Sequence, residues 1–388
     1  MMHLIPVAIF LAFVPAPAAT FPDAKHGNGQ LVHVSGIPVL SVRGTPAEIG
    51  EQFGILAVKN APDIDGLRKR FLKDAGQENS EFLVTLMARR LKASVPPEYL
   101  AEMEATCKAA NRDLDQALFA NTIYDLSSGM GCSTVVLSKD RNTTGGPILA
   151  RNFDWLPTKG IMDHTLIVVY RPTGKRTFAT ITISPIIGCI SGMNDAGLAC
   201  TLNEVELRQS KDKSAFNWNG TPMMLAFRRV LEECGTVAEA EKLLRGMPRT
   251  TTASLTICDT NGGAVFEITP KAIAVRPPTN GVVCCTNHFC TVALNGDSKK
   301  CRRLPKLLAL EAGDNALSPV DVFAKLDTVH QGKYTLQSMI FEPSKRVLHL
   351  KLSDGTGSAT KRDAVRLELG PWFANGLGDP LPPQPTNP

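Results

Sequence analysis

Apolar positions recur at two different spacings along this chain, and the spacing changes abruptly near residue 131. From about Thr45 to Leu126 they follow a helical period. Thr45-Pro46-Ala47-Glu48 reads as a capping box with proline at the first helical position. Ile49, Phe53, Leu56 and Ala57 then fall on one face. A second helix is expected from Pro97, with Leu100, Met103, Cys107 and Ala110 as its stripe, and a third over Asp115 to Leu126. From Cys132 the runs are short and strand-like: STVVLS, PILAR, TLIVVYR, TFATITI and GLACTLN, the last ending at Asn203. Helices return after Asn219, one ending at Gly235 and the next opening on a second capping box, Thr236 to Glu239. Strands resume with ASLTICD, AVFEI and GVVCCTN, and a helix is expected over Lys300 to Glu311. RVLHLKL reads as a late strand, and Pro380 to Pro388 as a loose Pro-rich tail. The connections within the strand blocks are hairpin-length. That order predicts an α+β fold with antiparallel sheets and helical layers outside them.

Composition adds limits. The 388 residues are 43% apolar, enough for a sizeable core. The formal charge of +5 is spread out, with KDK and KKCRR as its small clusters, which argues against nucleic acid as a partner. Leu4 to Val14 is an apolar run followed by Ala16-Pro17-Ala18, the form of a signal peptide over residues 1–19. That run is too short to span a bilayer comfortably, and no later stretch is apolar enough, so no stable membrane span is expected. The expected location is secreted or periplasmic. Ten cysteines in so long a chain do not make a disulfide scaffold, and Cys189, Cys200, Cys258, Cys284 and Cys285 sit in apolar runs as buried thiols do.

The chemistry concentrates at the change of period. Cys132 follows Gly131 at the head of a strand and is followed by the small polar Ser133 and Thr134. A core cysteine is the bland alternative. The functional reading is a thiol that attacks the Gly131 carbonyl, shifts the acyl group from nitrogen to sulfur, and leaves Cys132 with a free α-amine. An α-amine has a pKa of about 7.7–8.0 and can serve as base for its own thiol. Arg151 and Asp154 lie about 20 positions on, just past a second apolar run, where a hairpin would bring them to the same sheet end. Arg151 would lower the thiol pKa, and Asp154 would hold the new ammonium. A surface ion pair is the plain alternative. Asn152 and Trp155 are candidates for shaping the pocket. Asn203 and Asn287 each end a strand run, where an amide can donate to an oxyanion; ordinary turn asparagines are the alternative. Cys284, Cys285, His288, Cys290 and Cys301 cluster in sequence, but their spacing does not fit structural zinc patterns, so neither metal nor cofactor is expected. GCISG around Ser191 lacks nucleophile-elbow spacing.

Together these residues resemble the cysteine-type N-terminal-nucleophile (Ntn) hydrolases. The nearest likeness is to the acyl-coenzyme A:6-aminopenicillanic-acid acyltransferase family, whose relatives include acid ceramidase and the bile-salt and penicillin V hydrolases. VRGTPAEIGEQFG, GCSTVV…ILARNFDW, GMNDAGLACTLNE, CCTNHF, DSKKCRR and TLQSMIFEPS carry the likeness by their order. The resemblance implies a four-layer αββα sandwich with two antiparallel sheets. It implies a helical pro-segment over residues 20–131 and a catalytic chain over 132–388, cut at Gly131-Cys132 and held together as α and β fragments. By position it implies Cys132 as nucleophile, Arg151 and Asp154 as its companions, Asn203 and Asn287 as oxyanion donors, and Arg302 as the late arginine, with Arg303 competing for that register. The implied substrate is a small-molecule acyl amide, opened through a thioester; whether water or an amine takes the acyl group stays open. A non-catalytic exported protein of the same fold, binding an acyl ligand, is the alternative.

Overall fold

In the computed structural model of the chain, the described residues are 21–127, 129–205, 216–297, 299, 301–313 and 315–374. The expected signal peptide over 1–19 and the Pro-rich tail lie outside them. The elements run β1 (Ala24–His26), β2 (Gly29–Val34), β3 (Ile37–Gly44), α1 (Pro46–Phe53), α2 (Ile64–Asp74), α3 (Glu81–Leu91), α4 (Pro97–Ala110) and α5 (Leu114–Leu126). Next come β4 (Gly131–Leu137), β5 (Ile148–Asp154), β6 (Thr165–Pro172), β7 (Phe178–Ile183), β8 (Ser191–Asn194) and β9 (Ala199–Glu204). After these are α6 (Met223–Glu233), α7 (Val237–Gly246), β10 (Ala253–Cys258), β11 (Gly263–Ile268), β12 (Ile273–Arg276) and β13 (Val282–Cys285). The chain closes with α8 (Leu304–Leu308), α9 (Pro319–Asp327), β14 (Thr335–Glu342), β15 (Val347–Leu352), β16 (Val365–Glu368) and α10 (Leu369–Ala374).

Ten strands form one sheet in the order β1-β2-β3-β6-β7-β8-β9-β10-β11-β12, and six form another in the order β13-β4-β5-β14-β15-β16. Alternation along each strand sorts side chains onto two faces. Val136, Leu149, Met339 and Phe341 of the smaller sheet meet Ile167, Val169, Ile181 and Met193 of the larger one. The outer face of the larger sheet (Leu40, Val168, Leu202, Phe266) packs on Phe53, Met103, Ile123 and Phe227 of the helices. The outer face of the smaller sheet (Val135, Ala150, Ile340) packs on Leu307 of α8 and Phe323 and Leu326 of α9. The result is a four-layer αββα sandwich.

Three expectations need correction. The segment before Cys132 is not wholly helical: β1, β2 and β3 are part of the larger sheet. Ser35 and Gly36, both at positive φ, make the two-residue turn that pairs Val34 with Ile37. Nor are the sheets purely antiparallel, because β3 runs parallel to β6, with Val39 opposite Ile167 and Gly44 opposite Pro172. The helix expected from Lys300 starts later, at Leu304.

The helical layer is close-packed against itself. Thr45 and Glu48 form the reciprocal cap of α1. A Cβ on Gly50 would sit 2.2 Å from the Glu102 carbonyl oxygen, so only glycine lets α1 and α4 approach this closely. Below them Arg228, on α6, is sealed from water among charges. It bonds both carboxylate oxygens of Glu102 at 2.8 and 2.7 Å and Glu232 at 2.8 Å, and its guanidinium lies over the ring of Tyr170. Tyr99 and Lys175 also donate to Glu232. This network ties α4, before the expected cut, to α6, after it.

Candidate active site

The head of β4 places the chemistry. Gly131 lies opposite Asp154, Cys132 opposite Phe153 and Thr134 opposite Arg151. Residues two apart share a face, so Cys132, Thr134, Phe153 and Arg151 point between the sheets, while Gly131, Ser133, Asn152 and Asp154 point the other way. Arg151 Nη2 donates to Cys132 Sγ at 2.6 Å. Its Nη1 donates to the Ile190 carbonyl at 3.1 Å and to Ser191 Oγ at 3.0 Å. Both Cys132 and Arg151 are fully buried, and among the described residues no carboxylate is within ion-pair distance of that guanidinium. Burial pushes the Cys132 thiol above its ordinary value, and the Arg151 charge pulls it back down. Ser191 serves as one of the acceptors that hold the arginine.

Asp154 does not share a face with Arg151. Its carboxylate accepts from Thr335 Oγ1 at 2.5 Å and Gln331 Nε2 at 2.7 Å, and Arg303 Nη1 lies 3.6 Å away. Burial raises its pKa, against the pull of Thr335, Gln331 and the two arginines. A Cβ on Gly131 would fall 2.1 Å from Gln331 Nε2 and 3.2 Å from the Asp154 Cβ, so the carboxylate flanks the Gly131-Cys132 bond.

Asn287, just past β13, is the hub. Its Oδ1 accepts from the Cys132 amide at 2.7 Å and from Arg303 Nη2 at 2.8 Å. Its Nδ2 donates to the Glu204 carbonyl at 2.9 Å and the Met130 carbonyl at 3.2 Å. Asn203 stands one step back: it accepts from Thr134 Oγ1 at 2.8 Å and donates to the Thr286 carbonyl at 3.2 Å. Among its described bonds none reaches Cys132.

Arg302 is corrected in favour of its neighbour. Arg302 is exposed on the wall of an outer cleft. Arg303 turns inward, donating to the Cys132 carbonyl at 2.5 Å and to Ser133 Oγ at 3.0 Å. The chain enters α8 at Leu304, so the two arginines precede the helix and point to different sides. Glu204 was missed by the sequence reading. Its carboxylate accepts the Met130 amide at 2.8 Å and the Gly129 amide at 3.1 Å, holding the end of the pre-Cys132 segment. Its sequence signal was available: an acidic residue directly after Asn203 at a strand end.

Three clefts meet at this point. A site cleft of about 350 Å³ is lined by Gly131, Asp154, Trp155, Glu204, Asn287 and Arg303. Trp155 also walls an apolar groove with Leu67, Phe71, Phe119, Ile123 and Ile183. On the other side Asn287, Arg303 and Gln331 lead into a polar cleft of about 670 Å³ lined by Arg302, Lys306 and His330. Among the described residues no three His, Cys, Asp or Glu side chains are grouped to hold a metal. Cys284 packs in the core under α8 and α9 and Cys285 in the core between the sheets, as adjacent strand residues must.

Two stacked sheets lie between helical layers, and a thiol heads a central strand beside an arginine. The model of the acyl-coenzyme A:6-aminopenicillanic acid acyl-transferase family matches residues 141–306. The match begins after Cys132 and spans Arg151, Asp154, Asn203, Asn287 and both arginines at 302 and 303. Among solved structures the chain is similar to the Caenorhabditis elegans N-acylethanolamine-hydrolyzing acid amidase ortholog, at 21% identity and a TM-score of 0.43, covering 55% of this chain and 93% of that one. It is similar to a mutant conjugated bile acid hydrolase from Clostridium perfringens (14%, TM-score 0.42, 62% and 92%). It is also similar to penicillin V acylase from Agrobacterium tumefaciens (15%, TM-score 0.42, 61% and 86%). No helix among the described residues is long and apolar enough to cross a membrane.

Proposed function

We propose that this chain is the exported precursor of a cysteine amidase or acyltransferase, and that it cuts itself between Gly131 and Cys132. The observation that carries the reading is the 2.6 Å contact between a buried guanidinium without a carboxylate partner and the sulfur at the head of β4. In the first step the sulfur attacks the Gly131 carbonyl carbon, the C–N bond breaks, and the nitrogen of Cys132 takes the proton. Water then opens the thioester and leaves Gly131 with a carboxylate. Departure of the Met130-Gly131 end from the cleft releases one N–H of Asn287, which now donates only to Glu204, and that N–H is available to an oxyanion.

In the processed enzyme the new α-amine takes the thiol proton, Arg151 stabilises the thiolate, and Asp154 with Gln331 and Thr335 holds the ammonium. The sulfur attacks an acyl amide, the amine leaves with the proton, and water or a second amine takes the acyl group from sulfur. The apolar groove beside Trp155 suits an apolar acyl chain, and the polar cleft beyond Asn287 suits the amine. Export rests on the apolar leader in the sequence.

The test is mass analysis of the purified protein beside Cys132→Ala, followed by assay of the processed form on N-acyl amides, penicillins and bile-salt conjugates. The expected result is two fragments that co-purify and hydrolyse at least one class, with the variant uncut and inactive. A single uncut wild-type chain with activity equal to that of Cys132→Ala would refute the proposal.

A further inference from the structure

Eight of the ten thiols are buried; Cys290 and Cys301 are the two that reach towards solvent. Cys301 lies in the wall of the polar cleft beside the site. Its sulfur accepts the Leu304 amide at 3.3 Å, and Thr286 Oγ1 lies 3.4 Å from it. The third neighbour is His288, a side chain only 8% exposed. Its Nδ1 is 3.1 Å from the Phe289 carbonyl oxygen, so that nitrogen carries a proton and donates. Its Nε2 has no well-formed hydrogen-bond partner among the described residues; His288 and Cys301 line the same cleft, and the sulfurs of Cys290 and Cys301 act on the ring. None of these groups is used by the mechanism above.

We propose that Cys301 is a second reactive thiol, distinct from the nucleophile, and that thiol–disulfide exchange there with a small organic disulfide switches the enzyme off. The His288 ring next to the sulfur supplies the positive charge that a thiolate needs. The charges are consistent from both sides. Against burial, which acts to lower it, His288 is held up at about 10 by the two sulfurs and the Phe289 carbonyl. Against burial, which acts to raise it, Cys301 is brought down to about 6 by His288, Thr286 and the backbone amides of Leu304 and Arg303. Cys132, fully buried with its thiol raised, is the poorer target in the uncut chain.

The step balances without any other reactant. The Cys301 thiolate attacks one sulfur of the disulfide, the old S–S bond breaks, a mixed disulfide forms, and the second half leaves as a thiolate that takes a proton from water. The attached group then occupies the wall of the polar cleft. Arg303, one residue removed, holds Asn287 Oδ1 at 2.8 Å and the Cys132 carbonyl, and Thr286 adjoins Asn287. Displacing that segment misplaces the hub of the site. Only the loss of activity rests on the function proposed above; the reactivity of Cys301 does not.

The experiment has two arms. In Cys132→Ala, where the competing nucleophile is absent, iodoacetamide labelling followed by peptide mapping should mark Cys301 at least tenfold faster than any other thiol. The rate should rise with a midpoint near pH 6, and His288→Gln should move that midpoint towards the ordinary thiol value of about 8.5. In the processed wild type, oxidised glutathione should lower amide hydrolysis at least tenfold, with the adduct mapped to Cys301 and activity restored by dithiothreitol; Cys301→Ser should resist. Uniform labelling, a midpoint above pH 8, an adduct at Cys132 instead, or full activity in protein carrying the Cys301 adduct would each overturn the proposal. If Cys301→Ser does not fold, the mapped adduct and its reversal in the wild type decide. A wild type with no amide activity at all refutes the proposed function and leaves the labelling arm to judge Cys301.

Discussion

Arg151 and Arg228 are both shut away from water, and their surroundings differ in one respect. Arg228 has two carboxylates, Glu102 and Glu232, within 2.8 Å, and aromatic rings around it. Its charge is cancelled inside the fold, and it serves to join α4 to α6. Arg151 has carbonyl and hydroxyl oxygens and a sulfur, but no carboxylate. On the proposed function, its charge is balanced when Cys132 becomes a thiolate. A buried cation with its counter-ions holds a structure together; a buried cation without one stores a preference for an anion that has yet to form.

This contrast fixes the order of expected effects. Arg151→Gln removes the preference, and both self-cleavage and amide hydrolysis should fall by about a thousandfold, roughly 4 kcal/mol in barrier, as read by single-turnover rates. Its melting temperature should move less than that of Arg228→Met; an equal loss would show that Arg151 is merely structural. Arg228→Met leaves the buried Glu102 without its cation and Glu232 with Lys175 alone, and should cost about 3–5 kcal/mol in denaturant unfolding. Adding Glu102→Leu and Glu232→Leu to it should recover most of that.

Asp125 supplies the mirror case, a buried carboxylate without a cation. It accepts the Met223 amide at 3.0 Å and the Thr250 hydroxyl, and burial pushes it from about 3.8 up to about 7. Below pH 4 both folded and unfolded chains are protonated there. Between pH 4 and 7 the unfolded chain alone ionises, so the stability should fall as pH rises and then level off. Asp125→Asn should flatten that slope and stabilise the protein at pH 8 by about 2–4 kcal/mol, measured by unfolding at a series of pH values. The smallest effect belongs to Arg302→Gln, an exposed position, where stability should change by less than about 0.5 kcal/mol. Self-cleavage should run at the wild-type rate in that variant, whereas Arg303→Gln should slow it clearly.

Much of this arrangement could be read from the sequence, for identifiable reasons. The change from helical to alternating spacing at Cys132 located β4, and the two apolar runs on either side of residues 138–147 pair as expected. Asn287 was placed by the end of an apolar run. What failed needed three-dimensional information. Arg302 and Arg303 are adjacent, and only the start of α8 decides which turns inward. Asp154 and Arg151 do lie at one sheet end, as expected, and their spacing of three puts them on opposite faces of β5. The Ser35-Gly36 turn is a hairpin signal that was passed over because the helical block dominated the early chain. Gln331 meets Gly131 from a distant part of the chain, and no local pattern announces it.

The parallel seam between β3 and β6 has a practical consequence for anyone who divides the gene after Gly131. The longer product alone would offer the bare edge of β6, with Ile167 to Arg171 unpaired, as a template for any passing strand. The two halves therefore have to be made in the same cell at the same time, as partners in one folding event.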